Sequence, residues 1–147
     1  MHAFTALQLI FSSMASRPEG YARKRSLAAS LASRTMRLTG PLLACYAVYH
    51  LLHLTSGTLH PQFDMQQVHR NVLIAFSAPA VAIPYIVAML LLLLHLKHGI
   101  WSLFQTLGLN SPKYDKLLRG VSLLAALAIA GGFIAVPAAV LITKYLS

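Results

Sequence analysis

Five of the seven histidines, His2, His50, His53, His95 and His98, stand in or beside strongly apolar runs. An ionisable ring is costly to bury in such a setting, so it faces an interior and has a partner there. Carboxylate partners would make a proton relay, but Glu19, Asp64 and Asp115 all fall outside the apolar runs. A neutral imidazole is also a metal ligand. Between the helices of an apolar bundle the metal that suits it is haem iron, which takes an imidazole on each axial face and then transfers electrons rather than binding oxygen. Gly99 lies four residues after His95 and Ala88 seven before it, so both share its helix face and leave room for a flat macrocycle. His53 and His98 follow His50 and His95 by three residues, near the same faces, so either member of each pair can be the ligand. The plain alternative for every one of these rings is a hydrogen bond to a backbone carbonyl across helices. His60 and His69 lie between the runs and are expected to be solvated.

The elements that must position these rings are helices that cross a bilayer. About 20 apolar residues of helix are needed for a crossing, and the stretches from about 38–57, 72–104 and 117–141 qualify. Pro79 and Pro84 put an early kink or a later true start into the second. Residues 1–14 are apolar and uncharged but supply only about 21 Å of helix, short of the roughly 30 Å that a span requires. A signal peptide would carry positive charge before its apolar stretch, whereas here the basic cluster follows it. The expectation is an all-α integral membrane bundle, one domain over residues 1–147, with three full spans and an N-terminal half-helix. Leu27, Leu31 and neighbouring alanines make Ser26 to Met36 a helical extension of the first span. Helical rise does not settle which histidines are level, since His50 and His95 both lie about 18 Å from the inside ends of their spans.

Composition agrees with a membrane setting and explains the charge. The chain is 57% hydrophobic and 10% charged, with twelve Lys and Arg against three acidic residues and a formal charge of +9. Nine of those twelve cations lie at 15–37 or 108–119, the two loops that alternation of spans places on one side. Cytoplasmic loops collect Lys and Arg, so these two are expected inside the cell, at an inner membrane. The basic balance is therefore topology, and no nucleic-acid partner is implied, because the cations do not alternate with aromatic residues along an accessible face. The single Cys45 excludes a disulfide framework and a cysteine-held metal cluster within this chain.

Longer strings carry a resemblance. Ala32-Ser33-Arg34-Thr35-Met36-Arg37-Leu38-Thr39-Gly40 leads to Tyr49-His50-Leu51-Leu52-His53, and His95-Leu96-Lys97-His98-Gly99-Ile100-Trp101-Ser102 continues to Phe104-Gln105-Thr106-Leu107-Gly108. With Arg17-Pro18-Glu19-Gly20-Tyr21, they resemble the cytochrome b membrane anchor of succinate dehydrogenases and fumarate reductases, the single-polypeptide type with five helices and up to two b haems. The resemblance implies that the half-helix is the family's second span and the three full spans its third to fifth, the chain being truncated at its N-terminus. It implies His2 and His95 as axial ligands of the haem nearer the cytoplasm and His50 for the haem nearer the outside. His95 is favoured over His98 because the family's ligand lies four residues before the glycine that is Gly99 here. His53 and His98 are then alternative ligands or neighbours of a haem propionate or quinone, and Gly99 packs on the haem.

The same resemblance implies flavoprotein and iron–sulfur partner subunits, quinone as the electron acceptor, and a place in the respiratory chain and tricarboxylic acid cycle. Oxidation of succinate would fall to the partners. A b-type cytochrome serving another membrane oxidoreductase would share the haem but not the loop strings, and a haem-free membrane scaffold would share neither.

Overall fold

A computed structural model describes residues 2–16, 31–109 and 111–146. All described secondary structure is helical: α1 (His2–Ala15), α2 (Leu31–His50), a π-helical turn (Leu51–Thr55), α3 (Val68–Phe76), α4 (Pro79–Thr106) and α5 (Asp115–Leu146). The expected all-α bundle is what the chain forms. By length and composition α4 and α5 can each cross a membrane. The loop residues Arg17, Arg23, Lys24 and Arg25, and the Ser26–Ser30 part of the expected extension, fall outside the described residues, but the helix is already formed at Leu31.

The apolar run at 72–104 is not one helix. It divides at Ser77 and Ala78, where Ala78 takes an extended conformation (φ −94°, ψ 116°) and Pro79 becomes the first residue of α4. A residue before proline is pushed out of the helical region, and proline itself is at home in a first helical turn, so the break and the restart have one cause. Lys144 Nζ–H, from the end of α5, donates to Ser77 O at 2.8 Å and satisfies a carbonyl left over by the break. At the other end of α4 the helix closes at Gly108 (φ 72°), with Leu109 N–H donating to Phe104 O at 3.0 Å and Gly108 N–H to Gln105 O at 3.0 Å. This is the left-handed glycine stop of many helices.

Helices α4 and α5 pack most extensively, and α2 packs on α4. The face that α5 turns to the bundle is Ser122, Ala126 and Ala130, one helical turn apart and all at most 1% exposed. Small side chains at such a spacing let two backbones approach closely, which is how apolar helices associate where there is no water to expel. The opposite surfaces carry exposed Ile83, Val87 and Leu90 on α4 and Leu124, Leu127 and Phe133 on α5. Lipid accepts such a surface and water does not.

The connection between α2 and α3 is folded tightly over its end of the bundle. Gly57 adopts φ +73°, and a Cβ there would sit 2.2 Å from the Phe63 ring, so only glycine fits. Asn71, 2% exposed, braces the loop from inside: its Nδ2–H donates to Asp64 O at 2.7 Å while its Oδ1 accepts from Asp64 N–H at 3.0 Å.

Candidate cofactor site

The ring of His95 projects from α4 against the middle of α2. Its Nδ1 lies 3.2 Å from Thr39 Oγ1, and the Thr39 side chain is 1% exposed. Thr39 Oγ1 also lies 3.5 Å from Met36 O, one turn back on its own helix. A threonine in a helix readily turns its hydroxyl onto such a carbonyl. The polarity that leaves Nε2 free for a metal is Nδ1–H donating to Thr39 Oγ1, with the hydroxyl donating to Met36 O. The ring also lies beside the next residue, Gly40, where a Cβ would stand 3.8 Å from His95 Cε1, an ordinary van der Waals distance.

Beside this contact α1, α2 and α4 enclose a cavity of about 700 Å³. Ala6, Leu7 and Leu9 line it from α1, Gly40, Pro41 and Ala44 from α2, and Leu92 and Gly99 from α4. Its polar edge is made by Arg37, His95, His98 and Ser102. The cavity therefore brings together three of the residues singled out by sequence, His95, His98 and Gly99. His2 stands on α1 four residues before Ala6, and its side chain lies outside the described ones. Nothing is packed within 4 Å of where a Cβ on Gly99 would be.

His50 and His53 do not line that cavity. They belong to an aromatic cluster at the opposite end of the bundle, around Tyr85 of α4, ten residues and about 15 Å from His95. His53 is 5% exposed, its Nδ1 is 3.0 Å from Tyr85 Oη, and its ring stacks between Tyr49 (centroids 5.3 Å apart) and His60 (5.0 Å). His50 approaches Tyr46 at 6.0 Å and Tyr85 at 5.9 Å, and its buried Nδ1 has no hydrogen-bond partner among the described residues. His50 stands further along the bundle than His95, because helix α2 starts at Leu31, inside the basic stretch, so the structure separates two histidines that helical rise leaves undistinguished. One expectation changes here: His60 is not solvated, because the tight loop folds it inward to 5% exposure, with neither ring nitrogen hydrogen-bonded among the described residues. His69 is exposed.

The corner between α4 and α5 is fastened by three side chains. Arg119 Nε–H donates to Asp115 Oδ2 at 2.8 Å, its guanidinium covers the Trp101 ring at 4.1 Å, and Trp101 Nε1–H reaches Asp115 Oδ1 at 3.4 Å. The bond from Arg119 holds the Asp115 carboxyl below its ordinary value. The fastening is therefore complete at neutral pH and is lost only as pH falls through that lowered value.

Among the described residues no group of three or more His, Cys, Asp or Glu could hold a bare metal ion. A haem iron asks less of the protein, since the porphyrin supplies four ligands and side chains only the axial ones. Compared with known proteins, residues 15–136 match the family model described as succinate dehydrogenase/fumarate reductase transmembrane subunit. The match begins where α1 ends and takes in α2, α3, α4 and most of α5. No curated protein and no solved structure matches the chain.

Proposed function

Since the chain belongs to the succinate dehydrogenase/fumarate reductase transmembrane subunit family, we propose that it is the haem b-binding anchor that passes electrons from an iron–sulfur subunit to quinone. The observation that carries this reading is an imidazole oriented by Thr39 on the wall of an apolar cavity of about 700 Å³. That volume lies within the range of about 300–1,000 Å³ typical of cofactor pockets. The walls are mostly apolar, and two glycines, Gly40 and Gly99, line the space that a flat ring needs. When bound, the haem supplies one-electron chemistry. His95 would hold it, together with His2 on α1, the further ligand that the resemblance implies. Arg37, the Lys or Arg that lines the cavity among the described residues, suits a porphyrin carboxylate. His50 is proposed as a ligand of a second haem at the other end, with His53 beside it and His98 as neighbour to the first.

The partners are a flavoprotein and an iron–sulfur subunit docked on the basic loops 15–37 and 108–119 at the cytoplasmic face of the inner membrane. A tagged copy of this chain, purified in mild detergent from its own cells, is expected to bring down a flavin-bearing and an iron–sulfur subunit in near-equal amounts. Recovery with the subunits of a different oxidoreductase, or alone from well-loaded membranes, would remove the succinate dehydrogenase assignment.

A further inference from the structure

We infer that Thr39 is a positioning residue for the haem ligand: through Nδ1 of His95 it fixes the ring's tautomer and orientation and sets the electron donation of Nε2. This inference rests on the haem reading above and adds to it a residue that contacts neither iron nor porphyrin.

Three observations converge on it. Thr39 is one of the most deeply buried polar side chains described, at 1% exposed. Burying a hydroxyl costs free energy unless it is hydrogen-bonded, and its contacts are Met36 O at 3.5 Å and His95 Nδ1 at 3.2 Å. Rotation about χ1 is restricted in a β-branched side chain, so the oxygen is held toward α4 rather than free to search. The imidazole also lies against α2 at the adjacent Gly40, with 3.8 Å between Cε1 and the position a Cβ would take. The ring thus rests beside the backbone of α2 while Thr39 orients it.

The chemistry follows from the direction of the bond. With Nδ1–H donating to Thr39 Oγ1, Nε2 is the atom that takes iron, and the acceptor raises its basicity. A neutral hydroxyl raises it less than a carboxylate would. The bond favours the oxidised iron, which gains more from a basic ligand, and its removal moves the midpoint potential upward. Loss of a group that orients a metal ligand also weakens metal binding, by about 10- to 100-fold.

The test is a redox titration of the intact complex carrying Thr39→Val, which keeps the shape and deletes the hydroxyl, beside Thr39→Ser, which restores it. The valine variant is expected to titrate at a higher potential, with the oxidised-to-reduced ratio changed about tenfold, equivalent to about 59 mV for a one-electron couple. It should also lose haem to apomyoglobin at least about tenfold faster. The serine variant should return both values to within a third of the wild type's. If the valine variant fails to assemble, the serine variant and Thr39→Ala take its place in the same two measurements. Haem that titrates and dissociates alike in wild type and the hydroxyl-free variant overturns the inference while leaving the haem reading intact. Absence of haem from the wild-type complex overturns that reading instead, and a merely structural role would lower assembly without moving the potential.

Discussion

In the assembled complex His95→Ala is expected to abolish the binding of one haem completely, whereas His98→Ala should keep it. Both rings border the same cavity, so proximity does not separate them. Orientation does: His95 has Nδ1 on Thr39 Oγ1 and its ring on the backbone of Gly40, while the nearest described ring to His98 is Trp101, at 6.0 Å between centroids. A ligand needs a fixed tautomer and a fixed plane, and only the first of these histidines is shown with a group that supplies them. Haem content per complex, from the alkaline pyridine spectrum, checks this directly. Retention in His95→Ala with loss in His98→Ala would move the ligand by one helical turn.

The second large effect is expected from Ala126→Leu. Ala126 is wholly buried where α5 meets α4, between Ser122 and Ala130 on the same face, so a larger side chain has no space to enter. Overpacking a tight interior costs about 1–3 kcal/mol, and here the strain falls on the contact that carries the cavity's His95-bearing helix. Leu124→Ala removes a large side chain from the exposed face and should change stability by less than about 0.5 kcal/mol. Thermal loss of haem absorbance in detergent measures both. Equal tolerance of the two substitutions would mean that α5 does not meet α4 through its alanine face.

The residues differ in how plainly the sequence announces them. Helices α4 and α5 are legible because long apolar runs bounded by Pro79, Gly108 and Asp115 have no other stable use. His95 and Gly99 on one cavity follow from a spacing of four. The strings around Arg37 and His95 were sufficient for the family, since they combine loop and helix features that composition alone does not supply. Thr39 was not legible as a partner of His95, because a threonine inside a helix looks the same whether its hydroxyl turns to its own backbone or across to another helix. His60 was misplaced for a related reason: the polar loop 56–67 gives no sign in its residue types that Gly57 and Asn71 fold it onto the bundle end. The relative depth of His50 and His95 is not legible, because helix α2 begins among charged residues, where hydropathy marks only the lipid boundary.

The central claim is that the imidazole on Thr39 faces an iron porphyrin. The most direct test is the dithionite-reduced minus air-oxidised absorption spectrum of the complete complex purified without added haem. The account predicts b-type α and Soret difference bands, with haem near one or two per complex. A full-length, correctly assembled complex with neither band would contradict it.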